Sequence, residues 1–176
     1  MSDGIVIRSA AAADANAIDT VHRAAFSGTK LGYRGEAELV RMIEDDGDTL
    51  VSFVARQRNG IIGHVLFSRM DVEADGKAMP AAGLAPVAAL PDKRGQGIGD
   101  ALIRAGLDTL REQGVAISFV VGHEEYYPRF GYSSELASRF ASPFAGPLFM
   151  AMMLDSNAPW PLGGRADYAP AFGRMG

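Results

Sequence analysis

The stretch that decides the fold of this chain reads Pro86-Val87-Ala88-Ala89-Leu90-Pro91-Asp92-Lys93-Arg94-Gly95-Gln96-Gly97-Ile98-Gly99. It has the pattern of an apolar strand, a basic turn and glycines that lead directly into a helix. A helix begins with unpaired backbone N–H groups and the positive end of its dipole. Because glycines let such a backbone approach an anion closely, the junction predicts a site for a phosphate-bearing small molecule between residues 86 and 100.

Two other kinds of phosphate site do not fit this stretch. A P-loop needs Gly-Lys followed by Ser or Thr, and the chain has no such triplet. A dinucleotide site needs G-x-G-x-x-G at the first crossover of a parallel sheet and an acid about 20 residues later. Here position 100 is Asp, and no acid closes the strand predicted at 115–121. The remaining pattern is Arg94-x-x-Gly97-x-Gly99 between a strand and a long amphipathic helix.

Three motifs, in the order expected for one family, carry a resemblance. The Arg94–Gly99 pattern resembles the pyrophosphate-binding signature of the GNAT superfamily of N-acetyltransferases, which hold acetyl-CoA. Tyr126-Tyr127-Pro128-Arg129-Phe130-Gly131-Tyr132 is similar to the closing motif of that superfamily. Gly63-His64-Val65-Leu66-Phe67-Ser68 resembles the third strand of a small bacterial branch of predicted acetyltransferases.

The resemblance implies an α/β (α+β) fold, in which helices flank a central mixed, mostly antiparallel sheet. The sheet is expected to splay between its fourth and fifth strands and so to open a cleft for the pantetheine arm. Pro86 fits this expectation because it cannot donate a ladder hydrogen bond and therefore marks an edge or a bulge. One acetyltransferase domain is expected over residues 1–155, with a Pro/Gly-rich tail packed on it over residues 156–176.

The element pattern agrees with one α/β domain. Strands are predicted at 5–8, 50–56, 61–70, 80–90, 115–121 and 148–154, with a hairpin turn at 58–60. Helices are predicted from Asp14, as the N-cap, through Phe26, and at 36–45, 98–113 and 124–130, with a loop at 27–35. His64 lies in a mostly apolar strand and is predicted to be a core histidine.

Composition limits the function classes. The chain has 176 residues, 48% hydrophobic and 22% charged, and no cysteine, which excludes disulfides, a thiol nucleophile and a zinc–thiolate site. A net charge of −4 argues against a nucleic-acid partner. No apolar run approaches the ~20 residues that span a bilayer, and the first residues lack a secretory signal, so a cytoplasmic protein without membrane contact is expected. No metal ligand set is predicted.

The resemblance assigns the cofactor-binding residues. Arg94 and the backbone of Gly95, Gln96, Gly97, Ile98 and Gly99 are expected to hold the pyrophosphate of acetyl-CoA. The backbones of Val87, Ala88 and Ala89 are expected to pair with the pantetheine amides, and one N–H polarises the acetyl carbonyl. Asp100 departs from the residues common at its position, and its carboxylate is expected to repel phosphate mildly.

Tyr127 is the predicted general acid for the departing thiolate, since a phenol with a reference pKa of about 10 stays protonated at neutral pH. The general base is left open. Glu36 is the first candidate, His123 and Glu124 are the next, and a water chain is a further alternative. The acceptor pocket is expected to be shaped by residues 27–36, including Tyr33 and Arg34, and by the segment around 139–147. The tail is expected to cover this pocket or to form a homodimer contact.

These residues favour an acetyl-CoA-dependent N-acetyltransferase acting on a primary amine of a small molecule or peptide in a ternary complex. The alternative is a non-catalytic module that binds or senses acyl-CoA. Both readings need the Arg94–Gly99 loop, and only the enzyme needs Tyr127 and a path for the amine proton. The sequence does not identify the amine.

Overall fold

The computed structural model describes residues 4–30 and 32–175. Within these ranges the strands are β1 Val6–Ser9, β2 Thr49–Gln57, β3 Gly60–Ala74, β4 Lys77–Ala78, β5 Ala81–Ala89, β6 Ile117–Val121, β7 Phe140–Ala141, β8 Phe149–Met153 and β9 Gly164–Asp167. The helices are α1 Ala15–Ser27, α2 Glu36–Asp45, α3 Ile98–Glu112 and α4 Ser134–Ala137. Short 3-10 turns cover Ala12–Asp14, Pro91–Lys93, Tyr127–Phe130 and Pro170–Arg174. No helix in these ranges has both the length and the apolar character needed to cross a bilayer.

The main sheet has the strand order β1-β2-β3-β5-β6-β8. All neighbouring pairs are antiparallel except β5 and β6, which run parallel and are joined through α3. The predicted mixed, mostly antiparallel sheet is therefore confirmed. The expected fourth and fifth strands of the family are β5 and β6 here, because the two-residue strand β4 intervenes.

Helices cover both faces of this sheet. On one face α3 buries Leu102, Ile103 and Leu110 against Val65 and Phe67. On the other face α1 and α2 bury Ile18, Leu39, Val40 and Ile43 against Val54 and Leu66 of the strands. The alternation of strand side chains places these two sets on opposite sides. Burial on both faces explains why β3 reads as a nearly continuous apolar run.

Two local expectations differ from the structure. The helix predicted at 124–130 is only a 3-10 turn over Tyr127–Phe130, because Pro128 has no N–H with which to continue an α-helical ladder. Asp14 does occupy the N-cap position of α1, but its carboxylate does not cap that helix. It accepts the Ala11 N–H at 2.7 Å and pairs with Arg8 at 2.7 Å instead.

The last part of the chain contributes a strand. Residues Gly164–Asp167 form β9, which pairs antiparallel with Asp71–Ala74 of β3. Ala166 of this strand and Ala171 after it are fully buried. These contacts join residues 164–171 to the sheet, while the division of the chain at residue 155 stays a prediction.

A buried histidine pair links α1 to the sheet. His22 Nε2 lies 2.8 Å from His64 Nδ1, and His64 Nε2 lies 2.8 Å from Ser52 Oγ. Both rings are completely buried, which confirms His64 as a core histidine. Burial lowers the pKa of His22 to about 4 and that of His64 to about 3.

This pair predicts acid-sensitive stability. The unfolded chain takes up protons on both histidines below about pH 6.5, whereas the folded chain resists protonation until much lower pH. The stabilisation is therefore complete above pH 6.5 and is lost as the pH falls toward 4, by a few kcal/mol at about 1.4 kcal/mol per pKa unit. The Asp14 carboxylate, with a pKa lowered to about 2 chiefly by its hydrogen bond to Arg8, loses its contribution only at lower pH.

Chemical denaturation between pH 7 and 4.5 measures this slope. His22→Gln should flatten it, while His123→Gln, at an exposed position, should retain it. An unchanged slope in His22→Gln would contradict the assignment.

Candidate active site

A cleft opens where β5 leaves β6. The two strands pair from Ala81 with Ile117 to Leu84 with Val120, and the pairing ends there. Ala85 and Pro86 of β5 lie opposite a single residue of β3, because Phe67 pairs with Leu84 and Val65 pairs with Val87. Two residues against one define a β-bulge, which bends a strand and increases its twist. Of the two alternatives predicted for Pro86, an edge or a bulge, the structure shows the bulge, and β5 and β6 diverge as expected.

Beyond the bulge, β5 carries backbone groups without a strand partner on one side. Leu90 N–H donates to Ile62 C=O at 2.8 Å, which makes that pair a hydrogen-bonded one. In an antiparallel ladder bonded and non-bonded pairs alternate. Ala88 therefore bonds to His64, while the N–H and C=O groups of Val87 and Ala89 point away from β3 and into the cleft. Of the three residues expected to offer main-chain groups, Ala88 does not do so.

The cleft is a cavity of about 690 Å³, within the range of small-molecule sites. Its floor is the splayed part of β5 together with the end of β6. One end reaches Gly99 at the start of α3, and the other reaches α2 and the C-terminal segment. The lining residues are Phe26, Arg34, Glu36, Leu39, Leu84, Ala85, Pro86, Val87, Ala88, Ala89, Gly99, Val121, Gly122, His123, Tyr126, Tyr127, Phe144, Phe172 and Met175.

The glycine-rich junction has the geometry of an anion site. Gly95 and Gly97 adopt φ values of 81° and 76°, a left-handed conformation that favours glycine. Gly97 is the N-cap of α3, and the first N–H bonded within the helix is that of Ala101, to Gly97 C=O at 3.0 Å. The N–H groups of Ile98, Gly99 and Asp100 precede that bond and have no helical partner. A second cavity lies at this helix start and is lined by Ala89, Lys93, Arg94, Gly95, Gly97, Ile98, Gly99, Asp100, Tyr126 and Arg129.

Arg94 is tied to α1. Its guanidinium donates to the Ala25 carbonyl at 2.6 Å, close to the end of that helix. The exposed Gln96 lies between the two left-handed glycines. Arg94 therefore holds the loop against α1 with one of its N–H groups and keeps other donors for an anion.

Asp100 is held by two neighbours. Its carboxylate accepts the Tyr126 hydroxyl at 2.8 Å and forms an ion pair with Arg129. The Arg129 guanidinium also lies over the Tyr126 ring, 5.0 Å from its centroid. The expected repulsion between Asp100 and phosphate is therefore offset by Arg129, which is 29 residues away in the chain. The closeness of position 129 to the helix start is a tertiary contact.

Tyr127 is seated in the cleft wall. Its side chain is 8% exposed, and burial raises its pKa to about 12. Gly122 makes room for the ring, since a Cβ there would lie 2.5 Å from Tyr127 Cε2. Within residues 4–30 and 32–175 no hydrogen bond holds the Tyr127 hydroxyl, so it is available as a donor to a ligand in the cavity.

The other predicted site residues separate into two groups. Glu36, Arg34 and His123 line the cavity, and Glu36 Oε1 accepts the Arg34 backbone N–H at 2.9 Å. Glu124 and Tyr33 do not line it. The Tyr33 hydroxyl accepts the Ala37 N–H at 3.1 Å and donates to Glu38, so Tyr33 is occupied at the start of α2 rather than at the pocket.

Sequence reasoning missed an apolar wall at the α2 end of the cavity. Phe144 belongs to the segment expected there, but its role was not assigned. Phe172 and Met175 belong to the tail that was expected to cover the pocket or a dimer contact, and both line the cavity. The signal was present as large apolar residues in a tail otherwise rich in turn formers. Among the described residues no cluster of His, Asp and Glu could hold a metal ion.

Comparison of sequences supports one family. The family model described as an acetyltransferase (GNAT) domain matches residues 6–134. The uncharacterized N-acetyltransferase YhbS of Escherichia coli K12 is 34% identical over 167 residues, which cover 92% of this chain and 95% of that protein. The uncharacterized N-acetyltransferase YjhQ of the same organism is 36% identical over 121 residues, 68% of this chain, and the match spans only 64% of YjhQ.

Comparison of structures agrees. The crystal structure of YhbS in complex with CoA has a TM-score of 0.84 at 31% identity, covering 98% of this chain and 93% of that one. A GNAT family acetyltransferase from Brucella melitensis in complex with acetyl-CoA has a TM-score of 0.79 at 30% identity, with coverages of 97% and 99%. The domain match, the sequence identity and the structural similarity together establish that this chain belongs to the GNAT acetyltransferase family.

Proposed function

We propose that this protein transfers the acetyl group of acetyl-CoA to a primary amine by direct attack within a ternary complex. The observation that carries the proposal is the cavity between β5 and β6. This cavity combines Gly99 at the start of α3, unpaired backbone groups on Val87 and Ala89, and Tyr127, and a second cavity adjoins the rest of the glycine junction. The family relatives with CoA and acetyl-CoA bound support the same cofactor.

The residues of the glycine junction fit a pyrophosphate. Arg94 and the backbone from Gly95 through Gly99, including Gln96 and Ile98, would hold it with N–H donors and the positive end of α3. Val87 and Ala89 would hold the pantetheine amides, and one of their N–H groups would polarise the acetyl carbonyl. Ala88 would contribute a small buried side chain rather than hydrogen bonds. Acetyl-CoA supplies a thioester, whose C–S bond breaks as the C–N bond to the amine forms.

Tyr127 would protonate the departing sulfur. A pKa of about 12 keeps the phenol protonated throughout the neutral range. The hydroxyl lies in a wall that excludes water from one side, where a donated hydrogen bond is stronger than in bulk solvent.

Glu36 is the proposed base that takes the amine proton. It lines the cavity at the start of α2, whereas Glu124 does not. His123 also lines the cavity and, like a water chain, stays an alternative for this role. The identity of the base does not affect the proposed transfer itself.

Titration calorimetry tests the cofactor. We expect acetyl-CoA and CoA to bind in the micromolar range and NAD and ATP not to bind. Gly97→Glu should abolish binding, because the added carboxylate would block the approach of the phosphates to the backbone N–H groups and would repel them. Gly76→Glu is the matched control. Gly76 has a similar φ of 82° and lies in the turn between β3 and β4, where, among the described residues other than its chain neighbours, no atom lies within 4 Å of an added Cβ. Equal loss in both variants, or no loss in Gly97→Glu, would contradict the phosphate site.

Tyr127→Phe tests the acid and separates the enzyme from a non-catalytic acyl-CoA-binding module. In steady-state thiol-release assays kcat should fall by about 10- to 100-fold, with an unchanged acetyl-CoA Kd. Tyr168→Phe is the control, because it removes a buried hydroxyl that has no partner in the described structure. A Tyr127→Phe enzyme with the original kcat would assign Tyr127 to packing alone.

Arg129→Ala tests the compensation of Asp100. Without Arg129 the Asp100 carboxylate faces the phosphates unbalanced, and the acetyl-CoA Kd should rise on the order of tenfold. Adding Asp100→Asn should restore most of the affinity, by calorimetric titration at low salt. A double variant as weak as the single one would mean that Arg129 itself holds phosphate.

A further inference from the structure

The α2 end of the cavity presents open apolar surface. Phe26, Leu39, Phe144, Phe172 and Met175 come from α1, α2, the loop before β8 and the C-terminal segment. Leu39 is buried, but Phe144 is 39% exposed and the other three are half-buried. Apolar groups left open in a concave site are covered when an apolar ligand binds.

This wall is held in place by packing. The Tyr168 ring lies between Phe144 and Phe172, with centroid distances of 5.0 and 4.8 Å. Gly83 leaves room for the Tyr168 ring, since a Cβ at Gly83 would lie 2.6 Å from Tyr168 Cε2. A supported aromatic wall binds a flat or bulky apolar group without first ordering its own side chains.

The charges at the same end argue against a polycation. Glu36 is the one carboxylate among the lining residues of the described chain, and Arg34 lines the cavity beside it. Arg34 forms no ion pair within residues 4–30 and 32–175. A polyamine or an aminoglycoside carries several positive charges, each of which needs a carboxylate or water when it is bound. A ligand with one amine matches Glu36, and an added carboxylate would match Arg34.

We infer that the acceptor is a primary amine carried close to an aromatic or large aliphatic group, of the arylalkylamine class. This inference rests on the proposed acetyl transfer and specifies its acceptor. The apolar group covers Phe144, Phe172 and Met175 while the amine faces Glu36. Two sources share this chemistry, a free arylalkylamine and an aromatic α-amino acid, and the Arg34 guanidinium distinguishes them by pairing with the carboxylate of the second.

Thiol release with a panel of amines tests the acceptor class. The panel contains phenethylamine, ethylamine, phenylalanine, spermidine and kanamycin. Phenethylamine should exceed ethylamine in kcat/KM by about 10- to 100-fold, the gain expected from burying one phenyl group. Spermidine and kanamycin should fall below phenethylamine. If phenylalanine is the better substrate, Arg34→Gln should lower the ratio of its kcat/KM to that of phenethylamine.

Variants connect that preference to the wall. Phe172→Ala and Phe144→Ala should reduce the ratio of phenethylamine to ethylamine to a few-fold, with an unchanged acetyl-CoA Kd, and Phe172→Leu should restore most of it. Phe144 is the more exposed site, so Phe144→Ala keeps the test usable if Phe172→Ala fails to fold. Trp160→Ala is the matched control, since Trp160 is 40% exposed and lies outside the cavity.

The outcomes separate this inference from the proposed function. Acetyl-CoA binding and turnover with equal rates for ethylamine and phenethylamine, or with spermidine or kanamycin preferred, would overturn the acceptor class alone. Absence of acetyl-CoA binding would overturn the proposed function. In that case ligand-observed NMR of phenethylamine and ethylamine with the full chain still decides whether the cavity prefers the aryl group, and equal binding would overturn the inference.

Discussion

The divergence of β5 from β6 after Leu84 is the constraint on which the rest of the site depends. Two parallel strands that stayed paired would satisfy each other's backbone groups and leave no space between them. The bulge at Ala85 and Pro86 turns β5 away, so the main-chain groups of Val87 and Ala89 face a cavity. The same strand then leads through the glycine junction into α3. The main-chain groups that face the cavity and the glycine-rich helix start are thus positioned by one strand–turn–helix unit.

The charged groups at the phosphate end are balanced locally. Arg94 donates a hydrogen bond to the Ala25 carbonyl, which connects the glycine-rich turn to α1. Asp100 would oppose a bound anion, but Tyr126 and Arg129 occupy its carboxylate. Asp100 thereby connects the start of α3 to the turn that carries Tyr127. The Asp100 carboxylate therefore has a structural role.

Local signals predicted much of this arrangement. Helix α2 has the predicted bounds, and α3 ends one residue before the predicted end, because their apolar periodicity and flanking glycines are contained within the segment itself. The missing N–H of Pro86 predicted an edge or a bulge, and the pairing with β3 decides for the bulge. The helix predicted at 124–130 and the capping role of Asp14 were wrong, because Pro128 lacks a backbone N–H and because the Asp14 carboxylate is taken by Arg8 and the Ala11 N–H. Tyr33 was predicted at the pocket, yet its hydroxyl is taken by the first turn of α2.

The sequence by itself indicated the class of fold and the location of the glycine-rich helix start, since each motif that points to them is contained within a few consecutive positions. Only the tertiary structure decided which side chains face the cavity. Phe144 and Phe172 meet through Tyr168 because β9 pairs with β3, a contact between segments about ninety residues apart. Pairing over such distances depends on burial and register in the folded sheet, and no short pattern encodes it. The apolar wall at the α2 end of the cavity is therefore a property of the folded chain.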